Sequence, residues 1–384
     1  MPVRRSGLAR VKGLVVKVGT GTLTDASGRF DRANCERLAT ELAALARTHR
    51  LVLVSSGAIT MGAQKLGLVR TLAKKWDIAT KQACAAAGQP DLVAAWGEAM
   101  TSLGMKVAQV LLTAEDLASR KRFLNARRTL GRLLELGVLP IVNENDTVAV
   151  DEIKVGDNDS LAALVATCVE AELVVLLTDV EGLYDRHPSQ PGAQLISAVR
   201  RVTPELERMA GGAGSERSVG GMVTKLRAAR RLAAQGVGTA LLSGRRPGAL
   251  ADFLAGHTLG TYFPPQDDRL KGRKTWLAAA AKGRGIILVD PGARRALTTE
   301  GRSLLPSGVR GVAGHFGVGD PVDIAVEERH PFARGLAGYG ADEVRRIAGL
   351  KTSEIERTLG YKYLDEVVHR NDMVLLEAGP EHEA

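Results

Sequence analysis

The sequence predicts an α/β fold, with a mainly parallel sheet sandwiched by helices, followed by a small, mainly β module. Up to residue 262, short and continuously apolar runs alternate with segments of helical periodicity, which is typical of parallel strands buried on both faces. From Gly285, short strand-like runs alternate with Gly and Pro turns instead. The length of 384 residues suits two domains better than one.

The elements of the first domain, predicted over residues 11–262, follow one another regularly. The first strand is the apolar run Gly13–Val18, and residues 31–49 then place apolar side chains at helical spacing. Further strands are predicted at residues 51–54, 106–112, 138–142, 173–177 and 239–242. Further helices are predicted within the Ala-rich residues 72–103 and at residues 122–136, 161–169 and 222–234.

Residues 263–284 are predicted to form a linker and residues 285–376 a second domain. The linker holds Pro264, Pro265 and several charged side chains. The second domain is predicted to be all β or mixed, with strand-like runs at residues 286–289, 309–312, 321–324 and 373–375.

Composition limits the class of protein. Apolar residues make up 45% and charged residues 25% of the chain, which is typical of a globular protein and argues against long disordered regions. Cys35, Cys84 and Cys168 are too few for a disulfide framework or a zinc site, which indicates a reducing compartment. Because no apolar run reaches the ~18 residues of a membrane span, we expect a cytoplasmic protein.

The net charge of +9 is unevenly distributed. Residues 1–284 carry +13, whereas residues 285–384 carry −4. The first region could attract anionic substrates, although a solvated basic surface explains the charge equally well. The second region is not expected to bind nucleic acid through charge alone.

Polar segments follow the predicted strands and predict a ligand site. Because the carboxyl ends of parallel strands share one edge of a sheet, we expect these segments to meet there. They are residues 17–21, 55–58, 143–146 and 178–179, together with residues 220–225 at the start of a helix.

Glycine and lysine in these segments favour an anionic ligand. Gly19 and Gly21 let main-chain amides approach a phosphate, and Gly220-Gly221 places amides at a helix N-terminus. Lys17 stands inside an apolar strand, where its charge is costly unless it meets an anion. Neither the GxxxxGK[ST] nor the GxGxxG nucleotide motif is present in this arrangement.

An acidic segment has two possible roles. Asp157, Asn158 and Asp159 precede a helix and could simply cap it. The acidic run Asp146, Asp151, Glu152, Asp157 and Asp159 could instead orient lysines or hold Mg²⁺ through water.

At these residues the chain resembles the glutamate 5-kinases, members of the amino-acid kinase family that have a C-terminal PUA domain. The resemblance covers nearly the whole chain. In the first domain it lies at residues 15–20 (VVKVGT), 56–59 (SGAI), 123–127 (FLNAR), 141–146 (IVNEND), 152–159 (EIKVGDND), 177–179 (LTD), 182–184 (GLY) and 220–225 (GGMVTK). In the second it lies at residues 303–306 (SLLP), 345–349 (RRIAG) and 368–372 (VHRND).

The resemblance implies an amino-acid kinase fold and a role for each site residue. Lys17 and Lys225 would neutralise the transferring phosphoryl group, and Asp159 would orient them. Ser56, Asp146 and Asn158 would bind glutamate. ATP, with Mg²⁺, would be bound by Lys17, Thr178, Asp179, Val219, Gly220, Gly221, Met222, Val223, Thr224 and Lys225. Two positions depart from the family pattern, because Gly21 stands where Ser is frequent and Val219 where Thr is frequent.

The implied activity is ATP-dependent phosphorylation of the γ-carboxylate of L-glutamate, the first step of proline biosynthesis. The resemblance also implies feedback inhibition by proline, a homo-oligomer and, as a partner, glutamyl phosphate reductase. A glutamate carboxylate is already ionised at pH 7, so the reaction needs no general base. The alternatives are another carboxylate or amino-acid kinase of this fold, and an RNA-binding protein that acts through the PUA domain.

Overall fold

A computed structural model describes residue 5 and residues 7–68, 76–149, 158–210, 219–266, 283–328, 330–362 and 364–376. The chain divides into two compact units, Met1–Arg269 and Leu270–Ala384. The division falls within the linker predicted over residues 263–284, and the detailed domain limits stay a prediction. No helix in these ranges is both long enough and apolar enough to cross a membrane.

The first unit contains a seven-stranded sheet, in the order β3-β4-β2-β1-β5-β6-β7. Neighbouring strands are parallel except for the antiparallel pair β6 and β7, which confirms the mainly parallel sheet. Residue 262, the predicted end of the first domain, falls within the three-residue strand β7. The strands are β1 (Gly13–Val18), β2 (Arg50–Ser55), β3 (Lys106–Leu112), β4 (Val138–Glu144), β5 (Leu173–Thr178), β6 (Gly238–Ser243) and β7 (Thr261–Phe263).

Helices cover both faces of this sheet. Those at α1, α3, α5, α6 and α8 were predicted, whereas the short helices α2, α4, α7 and α9 were not. The helices are α1 (Arg32–Ala46), α2 (Ala58–Lys65), α3 (Ile78–Thr101), α4 (Ala114–Ala118), α5 (Arg120–Glu135), α6 (Asn158–Cys168), α7 (Pro204–Ala210), α8 (Val219–Ala234) and α9 (Ala249–Leu254).

The alternation of side chains along β1 determines which helices its residues meet. Leu14 and Val16 pack into the core beneath α1 and α3, whereas Val15 packs into the opposite core with residues of α6 and α8. Because successive side chains of a strand point to opposite faces, Lys17 lies on the same face as Val15. The charge that looked anomalous in the sequence is therefore directed towards α6 and α8.

Two glycines allow α2 and α3 to pack closely. A Cβ atom at Gly62 would collide with the main-chain carbonyl of Cys84, and one at Gly88 would collide with that of Ala58. Because neither backbone can move away cheaply, glycine is needed at both positions. This contact fixes the middle of α3 beside the loop that follows β2.

The second unit has a five-stranded sheet, in the order β12-β11-β10-β8-β9. Among the described strands of this sheet, β8 and β10 pair in parallel and the other neighbours are antiparallel. Its core includes Tyr339 and Val344, and its helices make the unit mixed rather than all β. The strands are β8 (Gly285–Val289), β9 (Val309–Gly314), β10 (Pro321–Ala325), β11 (Pro331–Leu336) and β12 (Met373–Leu375), and the helices span Pro291–Thr298, Ala341–Ile347 and Ile355–Leu359.

Candidate active site

The predicted polar segments meet at the carboxyl edge of the first sheet. In the strand register, Val18 is level with Ser55 of β2 and Leu177 of β5, and Thr178 is level with Ser243. Strands β2 and β5 lie on either side of β1, so the chain leaves β1 between two loops that follow parallel strands. This is the edge at which open α/β sheets bind ligands.

A buried ion cluster, Lys17–Asp159–Lys225, stands at this edge. The Nζ atom of Lys17 lies 2.6 Å from Oδ1 of Asp159, and that of Lys225 lies 2.8 Å from Oδ2. Asp159 has no exposed surface, and the two lysines are only 4% and 8% exposed. The structure thus brings together the two lysines predicted to neutralise the phosphoryl group and the aspartate predicted to orient them.

The charge balance of this cluster favours the binding of an anion. Burial by itself would raise the pKa of Asp159, but Lys17 and Lys225 outweigh that effect and hold the pKa below its ordinary value. Asp159 also stands in the first turn of α6, where the helix dipole stabilises a carboxylate. One carboxylate against two ammonium groups leaves a formal charge of +1.

Helix α8 positions Lys225 through further polar contacts. Nζ of Lys225 donates to the carbonyl of Gly221 at 3.1 Å. The hydroxyl of Thr224 lies 3.2 Å from Oδ2 of Asp159 and 2.9 Å from the same carbonyl. The first turn of α6 is therefore hydrogen-bonded to the second turn of α8 at the carboxyl edge of the sheet.

A network of side-chain amides lies beside the ion cluster. Nδ2 of Asn158 donates to Oγ of Ser56 at 2.7 Å and to Oδ1 of Asn143 at 3.0 Å. Nδ2 of Asn143 donates to Oε1 of Gln89 at 2.6 Å. Ser56 and Asn158, which were both predicted to bind glutamate, are thus adjacent.

Sequence reasoning assigned no role to the other two amides. Asn143 was visible as part of the polar segment that follows β4. Gln89 lies within the Ala-rich helix α3, where the sequence gives no signal for it.

Asp146 follows β4 and is partly buried. Burial raises its pKa to about 6, and in the described residues its carboxylate forms no hydrogen bond with Ser56 or Asn158. Its neighbours in the acidic prediction, Asp151, Glu152 and Asp157, lie outside the described residues.

A cavity of about 370 Å³ adjoins the ion cluster on the side of β5. The hydroxyl of Thr178 donates to Oδ1 of Asp179 at 3.0 Å at its edge. A Cβ atom at Gly21 would lie 3.2 Å from Oδ2 of Asp179, so glycine leaves room for this carboxylate. The predicted nucleotide residues in its wall are Thr178, Asp179, Gly221, Met222 and Lys225.

Apart from Lys17 of β1, the remaining predicted nucleotide residues belong to α8. Val219 and Gly220 begin this helix, and Val223 lies in its first turns. Within the described ranges, no group of three or more His, Cys, Asp or Glu side chains is arranged to hold a metal ion.

Comparisons with known proteins agree with this architecture. The model of the amino acid kinase family matches residues 12–242, and that of the PUA domain matches residues 285–359. Three similar relatives, each named glutamate 5-kinase, come from Anaeromyxobacter dehalogenans, Myxococcus xanthus and Syntrophotalea carbinolica. They are 72%, 52% and 47% identical to this chain and cover 98%, 97% and 97% of it. The matches span 100%, 98% and 100% of the relatives' own lengths.

Proposed function

We propose that this chain, which belongs to the amino acid kinase family and within it to the glutamate 5-kinases, transfers the γ-phosphoryl group of ATP to the γ-carboxylate of L-glutamate. The products are L-glutamyl 5-phosphate and ADP, and the reaction is the first step of proline biosynthesis. The buried cluster Lys17–Asp159–Lys225 carries the proposal, because it holds two cations at one carboxylate beside a cavity.

The chemistry requires neutralisation of charge and positioning rather than proton transfer. A glutamate carboxylate, with a pKa of about 4.3, is an ionised nucleophile at neutral pH. It must approach a phosphoryl group that is itself negatively charged, and the two lysines offset that repulsion. Asp159 keeps both ammonium groups in place before the substrates arrive, so little reorganisation is needed during the reaction.

The two substrates occupy neighbouring parts of the site in this proposal. Ser56, Asp146 and Asn158 bind the amino-acid end of glutamate. ATP binds in the cavity at Thr178 and Asp179 and along residues 219–225. Mg²⁺ enters as part of the substrate, held chiefly by phosphate oxygens and water, as is usual for this ion.

The proposed reaction is tested by trapping its product. The full-length protein is incubated with glutamate, ATP, Mg²⁺ and hydroxylamine, which converts an acyl phosphate into a hydroxamate. We expect hydroxamate and ADP in equal amounts, and much less with N-acetylglutamate, which lacks the α-ammonium charge. Release of ADP without hydroxamate would exclude a carboxylate kinase.

The raised pKa of Asp146 predicts an acid limb in glutamate binding. The carboxyl is neutral below about pH 6 and attracts the α-ammonium group only above it. We therefore expect kcat/KM for glutamate to rise as the pH increases through about 6. Asp146→Asn should remove this limb and raise KM for glutamate at pH 8.

The same pH profile for Asp146→Asn serves as the control, because any titration of ATP appears in both proteins. An acid limb of equal size in the variant would show that another group titrates. Asn158→Ala is expected to raise KM for glutamate too, but to leave the limb in place.

The second unit is predicted to be dispensable for catalysis and not to bind RNA generally. The described residues of the ion cluster and the cavity all belong to the first unit. The neighbouring basic residues Arg345 and Arg346 are engaged internally: Arg345 donates to Asp342 and to the carbonyl of Gly314, and Arg346 donates to that of Thr358. A chain that ends at Gly283 should keep its kinase activity.

The isolated second unit, titrated with tRNA at low and physiological salt, should bind weakly. Tight binding with a steep dependence on salt, or a folded but inactive truncation, would contradict this prediction. Four further points stay predictions: inhibition by proline, assembly into homo-oligomers, glutamyl phosphate reductase as a partner, and a cytoplasmic location.

A further inference from the structure

The amide network joins α3 to the side chains proposed to bind glutamate. Oε1 of Gln89 accepts a hydrogen bond from Asn143, and Oδ1 of Asn143 accepts one from Asn158. Asn158 in turn donates to Ser56. A continuous path of hydrogen bonds therefore runs from the middle of one helix to two residues of the glutamate subsite.

The direction of each bond fixes the orientation of Asn158. Its NH₂ group lies 3.4 Å from the main-chain carbonyl of Ser55, which can only accept. Its oxygen, Oδ1, is buried and accepts no hydrogen bond from the residues that the structure describes. That oxygen is the type of acceptor that an α-ammonium group requires.

Asn143 keeps this orientation only while its own NH₂ group has an acceptor. Asn143 is 3% exposed, so a donor left without a partner there would be costly. Oε1 of Gln89 is the acceptor. Without it, Asn143 would turn towards another acceptor or admit water, and Asn158 would lose one of its two side-chain acceptors.

The backbone that carries Gln89 is firmly placed. Its neighbour Gly88 packs directly on the main chain of α2, where no Cβ atom fits. The main chain at Gln89 is therefore held in place, which a residue needs if it is to orient the side chains that it contacts.

We propose that Gln89 is a positioning residue of the glutamate subsite, acting on the substrate through Asn143 and Asn158. This inference rests on the proposed function, because it assumes that Asn158 binds the amino-acid substrate. It predicts that loss of Oε1 weakens glutamate binding specifically, without an equal effect on ATP.

The test is a double-mutant cycle in the full-length protein, with hydroxamate formation by the wild type established first. A wild type that forms no hydroxamate refutes the proposed function, whereas the Gln89 variants test the positioning role alone. Gln89→Met keeps the length of the side chain but removes both amide atoms. We expect KM for glutamate to rise roughly tenfold, as for one lost hydrogen bond, while KM for ATP and the unfolding midpoint change little.

Asp91→Asn is the matched control on the same helix, since this carboxylate pairs with Lys65 at the surface. It should leave both KM values unchanged. In an Asn158→Ala background, Gln89→Met should raise KM for glutamate by less than about twofold, because the path is already broken. If Gln89→Met does not fold, Gln89→Ala replaces it. An unchanged KM in a folded variant, or an equal rise in both backgrounds, would overturn the proposal.

Discussion

Replacement of Lys225 by Met is expected to lower kcat by about 10²-fold or more and to change KM for ATP much less. Lys17→Met should behave in the same way. Both ammonium groups lie at a carboxylate within a buried cluster, so their charge is in place before the reaction begins. The negative charge that the lysines meet grows in the transition state. Interactions that strengthen only in the transition state raise kcat rather than ground-state affinity.

The measurement is steady-state kinetics with each substrate varied in turn. Lys65→Met is the control, because this lysine is half exposed and pairs only with Asp91 among the described contacts. Each single replacement leaves Asp159 with one lysine, so the carboxylate stays paired and the variants should fold. A change confined to KM for ATP would show that the lysines merely dock the nucleotide.

Much of this arrangement could be predicted from the sequence, because it depends on local patterns. Continuous apolar runs separated by helical segments specified the parallel sheet. Lys17 was informative because a charge within an apolar strand needs a partner, and the structure supplies Asp159. The polar segments could be placed at one edge, since parallel strands end together.

Other features depend on contacts between distant segments, and no local pattern reveals them. Gln89 meets Asn143 across 54 residues of sequence, from a helix that Gly62 and Gly88 allow to pack closely on α2. The raised pKa of Asp146 follows from burial, which the sequence of its loop does not indicate. Strand β7 has three residues, too few for a periodicity to be read, and its pairing with β6 extends one residue beyond the predicted limit at residue 262.

The second large effect is expected on stability, from Asp159→Asn. This change keeps the shape of the side chain but leaves two buried ammonium groups without their counter-charge. Removal of one partner from a buried ion pair typically lowers the free energy of unfolding by about 3–5 kcal/mol. Denaturant unfolding of the full-length protein at pH 7 measures the change. We also expect a lower kcat, because the lysines would no longer be held in place.

Two further measurements distinguish this cause from a general loss of packing. Adding Lys17→Met to Asp159→Asn should restore part of the lost stability, since one unpaired cation is removed, whereas a packing defect would become worse.

The second measurement is the dependence of stability on pH. The pKa of Asp159 is lowered in the folded state, so the contribution of this carboxylate to the free energy of unfolding is complete above the unfolded pKa of about 3.9 and is lost as the pH falls through the folded pKa. The difference between wild type and Asp159→Asn should therefore be constant from about pH 6 to 8 and shrink only in acid. A loss below about 1 kcal/mol, the range expected for the exposed pair Asp91–Lys65, would mean that the cluster is solvated rather than buried.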